Sequence, residues 1–145
     1  MKADGTDRRK AISQRILDLV AVSPDGHWVA AAAPNSDEQL TASMTAFAVD
    51  GNATVPLCFG YCNINWDASG KYIYLFYPDV LGRDTYIVPA KDDVELPVSL
   101  SHIDDLKNRK DIKAVPWFVP SGSGPSIYAY VRVTTRSNLY RIPLQ

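Results

Sequence analysis

No stretch of this 145-residue chain holds the roughly 18 to 20 apolar residues that a membrane-spanning helix needs. Its first residues, Met1-Lys2-Ala3-Asp4-Gly5, carry charge with no apolar segment behind them, so they do not read as a secretory signal. An excess of either charge is lacking too. The 15 Lys and Arg stand against 16 Asp and Glu, which leaves no field to draw the chain to nucleic acid or to an anionic membrane. The basic run Arg8-Arg9-Lys10 is short and follows Asp4 and Asp7. It is expected to be a solvated turn or edge.

Side chains that carry chemistry are scarce. The 2 histidines, His27 and His102, are distant from each other and sit in polar connections, where a surface position is expected. The 2 cysteines, Cys58 and Cys62, have no second Cys/His pair nearby to complete a zinc site. They lie near the junction of two predicted strands, 54–59 and 62–66. Two buried, inert thiols are the expectation, and a disulfide is the alternative should the domain be exported. The glycine patterns of nucleotide-binding loops and the kinase set of glycine loop, lysine strand and H-R-D are absent. Ser121-Gly122-Ser123-Gly124 does not fit a G-x-S-x-G nucleophile elbow between strand and helix. The acidic pairs Asp92-Asp93 and Asp104-Asp105 lack the alternating ligands and glycine of a calcium loop, and solvated turns are expected. These absences lead to the expectation of a chain that is not an enzyme, with no catalytic residues, no cofactor and no metal site.

What the chain does have is strand chemistry. Its hydrophobic fraction is 46% and its charged fraction 21%, values that suit a globular domain and exceed what a disordered chain carries in apolar residues. Leu19-Val20-Ala21-Val22 leads into Ser23-Pro24-Asp25-Gly26, a turn whose proline presets one backbone angle and whose glycine accepts positive φ. A buried strand over 29–33 follows, then one over 43–49, the turn signal Asp50-Gly51-Asn52, and a fourth strand over 54–59. The pattern starts again at Asn63-Ile64-Asn65-Trp66. Asp67-Ala68-Ser69-Gly70 stands for the turn, with strands over 72–77, 85–89 and 96–100. A weaker third pass runs from 114–118 through Ser121-Gly122-Ser123-Gly124 to strands over 127–133 and 138–143. The charged stretch 103–110 reads as a loop or a single turn between two units.

Four short strands per unit, with a turn glycine recurring from Gly26 to Gly70, predict an all-β fold built by repetition. Strands apolar on both faces suit sheets stacked against each other. The turn, the apolar strand behind it and the Asp50-Gly51 that ends the third strand resemble the TolB-like, WD-repeat-like family of β-propellers. The match at Ser23-Pro24-Asp25-Gly26 is full, that at Asp67-Ala68-Ser69-Gly70 covers Asp, Ser and Gly, and Ser121 to Gly124 keeps little beyond its glycines. Asp4-Gly5, about one repeat before Asp50-Gly51, resembles the end of another third strand.

The resemblance implies a partial propeller of about three four-stranded antiparallel blades. Residues 1–145 form one domain: 1–14 the remnant of a preceding blade, 15–60 and 61–102 two blades, and 103–145 an incomplete last blade. It also implies a C-terminal segment of a larger propeller. Similar propellers serve as extracytoplasmic sensory modules of bacterial membrane-anchored Ser/Thr protein kinases. A non-catalytic scaffold for a protein, peptide or small ligand is the expected function, and an accessory propeller of a prolyl-oligopeptidase-like serine peptidase is the alternative. Expected partners include the remaining blades or further copies joined through exposed strand edges, with no nucleic acid and no direct membrane insertion. The location is cytoplasmic if the chain is complete, and extracytoplasmic if it belongs to a membrane-anchored parent. No binding residue is singled out.

Overall fold

Eight strands and one short helix make up the regular structure of the computed structural model, which describes residues 6, 10, 12–35, 41–51, 53–58, 60–78, 84–90, 103–122 and 124–130. Strands β1 (Asp18–Val22), β2 (Trp28–Pro34), β3 (Ala42–Ala48) and β4 (Thr54–Cys58) form one antiparallel sheet in chain order. Strands β5 (Asn63–Trp66), β6 (Tyr72–Phe76), β7 (Asp84–Pro89) and β8 (Lys113–Pro116) form a second. The chain is thus nearly all-β, with helix α1 (Ile103–Asn108) placed between β7 and β8.

Both sheets begin with the same turn, built from different residues. The Ser23 hydroxyl accepts the Trp28 N–H at 2.8 Å and donates to the Asp25 carboxylate. In the second unit the two residue types have exchanged places. The Asp67 carboxylate accepts the Tyr72 N–H at 2.9 Å and also accepts a hydrogen bond from the Ser69 hydroxyl. The backbone bonds repeat as well: Gly26 N–H to Ser23 carbonyl at 2.9 Å, Gly70 N–H to Asp67 carbonyl at 3.0 Å. Both glycines hold φ near +74°, a conformation that costs a residue with a Cβ about 1–2 kcal/mol. The return of the third strand is tied alike, by Val49 N–H to the His27 carbonyl and Ala90 N–H to the Lys71 carbonyl.

One core fills the space between the sheets. The first sheet contributes three alanines, Ala30, Ala46 and Ala48, beside the larger Trp28, Met44 and Leu57. The second answers with large ones, Ile64, Trp66, Ile73, Leu75, Tyr77 and Tyr86. Alanine is a poor strand former, but here it leaves room for bulky neighbours at the close approach of two sheets. Strands β1 and β5 are in contact, so the two sheets meet along their first strands. Leu106 of α1 is buried in the same core, so the 103–110 stretch is a packed helix at its start and more than a connecting turn.

The two cysteines are joined. Cys58 ends β4 and Cys62 precedes β5, and their disulfide ties the last strand of one sheet to the approach of the next. Both are at most 1% exposed. The expectation of free thiols is therefore corrected: the turn between the sheets brings the Cα atoms to 6.4 Å, within bridging reach.

A second difference concerns the edge of the second sheet. The segment 114–118 was expected to open a third unit, yet Lys113–Pro116 pairs with β7, Asp84 opposite Pro116 and Ile87 opposite Lys113. Thr85, Tyr86, Ile87 and Val88 are all buried, and the outward backbone groups of so buried a strand require a partner. The expected strand over 96–100 lies outside the described residues. So does most of the remaining third unit, and residues 127–130 hold no strand beyond the isolated bridge of Ile127 to Gly124.

Two outcomes follow from this packing. Ala46→Leu adds three heavy atoms to a filled interface and is expected to cost about 1–3 kcal/mol in denaturant unfolding. Burial raises the Tyr77 hydroxyl from 10.0 to about 12, with a smaller contribution from Tyr86, which stands edge-on to it. The folded state thus favours the neutral phenol. Its contribution is complete below pH 10 and is lost as pH rises toward about 12. Tyr77→Phe is expected to flatten the alkaline limb of stability against pH, measured by thermal unfolding.

Candidate functional site

The two turns lie side by side at one end of the sheets, with Pro24 ring carbons 3.8 and 3.9 Å from the position a Cβ on Gly70 would take. His27 is exposed there, and its N–H donates to the Asp25 carboxylate at 2.9 Å. Hydrogen bonds from the Ser23 hydroxyl first, and then from that backbone N–H, hold Asp25 below its ordinary value. The Ser23 oxygen is committed to the Trp28 amide and to Asp25, which leaves it a structural clamp.

A cleft of about 480 Å³ opens on the face of the first sheet that points away from the second. Residues 13–15 cross that face, and Ala33, Thr45, Phe47 and Thr54 form its floor. Leu17, Leu19 and Val22, in and before β1, are about half exposed. Its one charged lining residue among those described is Arg15. Its described lining offers apolar contact from Ala33, Pro34 and Phe47 and hydroxyls from Ser13, Thr45 and Thr54.

The far face of the second sheet is covered by its own chain. Buried Thr85 on β7 donates to the Trp117 carbonyl at 2.7 Å and accepts the Val119 N–H at 2.9 Å. These bonds hold the segment after β8 against the sheet, with Trp117 at φ 74°, a rare conformation for a bulky residue. Phe118 packs edge-on to Phe76, and the Tyr74 hydroxyl donates to the Gly124 carbonyl at 3.1 Å. Burial is the main reason the Tyr74 hydroxyl lies above its ordinary value. Lys113 reaches the Pro125 carbonyl at 3.0 Å and lies over the Tyr128 ring. The outer side of this segment is an exposed apolar shelf of Phe118, Ile127, Tyr128 and Tyr130, with Ile127 73% exposed.

Of the polar residues considered from the sequence, His27 stands on the turn end and is not among the described residues lining the cleft. His102, Asp92 and Asp93 lie outside the described residues, as do Ser123 and the side chains of Asp104 and Asp105. Among the described residues no three His, Cys, Asp or Glu side chains converge as metal ligands, and no helix is long and apolar enough to cross a membrane. Thr85 and the shelf drew no attention in the sequence, because their role depends on a pairing between segments more than 20 residues apart. No family model, no curated protein and no solved structure matches the chain.

Thr85→Val keeps the shape and removes both hydrogen bonds, leaving the Trp117 carbonyl and Val119 amide without their buried partner. The expected cost is about 1–3 kcal/mol, with faster hydrogen exchange at the Val119 amide. Unchanged exchange there would show that Thr85 does not hold the segment.

Proposed function

We propose that this chain is a non-catalytic β-propeller scaffold that binds a protein, peptide or small ligand as the sensory or interaction part of a larger bacterial protein, such as a membrane-anchored Ser/Thr protein kinase. The observation that carries the reading is the repetition: two consecutive four-stranded meanders, opened by turns with the same bonding, packed face to face with their first strands in contact. Blades of a propeller are built and stacked in this way. Two sheets do not close a ring, so the scaffold reading includes further blades against the open face of the first sheet. The half-exposed Leu17 and Leu19 and the cleft beside them favour such a neighbour.

The shelf on the second sheet is the surface where a ligand of the scaffold is best accommodated, since Thr85 and Tyr74 hold the backbone of its segment and Phe76 packs against Phe118. A buried disulfide suits the extracytoplasmic setting of a sensory module. Sedimentation velocity of the 145-residue chain tests the scaffold reading. Self-association that rises with concentration and is reduced by Leu19→Lys is expected. A monomer at all concentrations with one sharp thermal transition would overturn it.

A further inference from the structure

Cys58 and Cys62 are the chain's whole complement of cysteine, so only one intramolecular pairing exists. An extended chain would carry them roughly 13 Å apart over four residues, yet their Cα atoms stand at 6.4 Å. Gly60 lies midway between them at φ 78°, with nothing within 4 Å of the place a Cβ would occupy. Its role is thus to reverse the chain, since space alone would admit a larger residue. The sulfurs lie inside the core shared by the two sheets, while Tyr61 on the same loop is 56% exposed.

We infer that the Cys58–Cys62 bond is installed before the two sheets close, by exchange with an external disulfide such as oxidised glutathione, and that Gly60 is the positioning residue for this step. One cysteine thiolate attacks a sulfur of the donor disulfide, forming a mixed disulfide and releasing the first donor thiolate. The other cysteine thiolate then attacks its neighbour's sulfur, which forms the Cys58–Cys62 bond and expels the second donor thiolate. The two protons lost by the cysteines balance those taken up by the donor, and two electrons pass to it. Because both cysteines are at most 1% exposed once the core forms, a soluble reductant reaches the bond only after the sheets part. A reducing cytosol would hold the same two residues as thiols. The inference does not depend on the propeller reading.

The test refolds the reduced full chain in glutathione redox buffer and counts thiols by alkylation and intact mass. No alkylation is expected in the refolded protein, whether native or unfolded without reductant, and two additions after unfolding with dithiothreitol. Dithiothreitol should open the bond far more slowly in native buffer than in denaturant. Gly60→Ala is expected to lower the equilibrium ratio of disulfide to dithiol roughly tenfold, from the cost of the left-handed conformation. Gly51→Ala, at φ 81° with equally open space but outside the loop, should leave that ratio unchanged. Two alkylated cysteines after oxidative refolding, or equal reduction rates in native buffer and denaturant, would overturn the inference. Equal ratios for the two glycine variants would remove Gly60 from it. None of these readouts requires a cysteine variant to fold.

Discussion

The amide of the residue that begins the second strand of each unit needs an acceptor just where the chain reverses. It finds a side-chain oxygen five residues earlier, from Ser23 in one unit and Asp67 in the other. Both acceptors are buried, so the bond is shielded from water and its loss would strand a backbone donor. By fixing the turn it fixes which residues of the following strand face the neighbouring sheet. A one-residue slip at Trp28 would turn Ala30 away from the interface and bring Val29 or Ala31 into its place. The small-against-large core, the contact of β1 with β5 and the disulfide at the crossing all depend on that phase.

The exchange of Ser and Asp between the two turns shows what such a motif conserves physically. The first position needs an acceptor for the strand amide, and either a hydroxyl or a carboxylate supplies it. The third position needs a partner for the first and an acceptor for the next amide. Serine and aspartate fill the two places in either order, provided that one hydroxyl proton lies between them. The glycine at the fourth position has no such freedom, because its φ is positive in both copies.

Local chemistry made most of the first seven strands readable from the residues. Asp50-Gly51-Asn52, Ser23 to Gly26 and Asp67 to Gly70 punctuate the chain between these strands, and the predicted strands fall within a residue or two of those observed. The edge of the second sheet did not yield in the same way. Lys113–Pro116 is a short, mostly apolar run that reads the same whether it opens a unit or closes one, and only its pairing with β7 decides between them. The cysteines posed a similar problem: C-x-x-x-C spacing says nothing of distance until Gly60 turns the chain. The shelf rests on Thr85, a residue whose composition class gives no hint that its hydroxyl serves two backbone groups of a remote segment.

The two sheets differ in how far the chain travels to finish them. In the first, only residues 49–53 separate β3 from β4, so every pairing joins neighbours in sequence. In the second, residues 90–112 intervene between β7 and β8, and α1 must be accommodated on the way. Loop closure therefore charges more entropy to the last pairing than to any other, and high sequence separation slows the search for it. The first sheet is a local structure that assembles from its own hairpins, whereas the second remains open along β7 until a distant strand returns. During synthesis that interval leaves β7 with an unpaired edge, and the β8 strand is both the closing element of the sheet and its protection against the wrong partner.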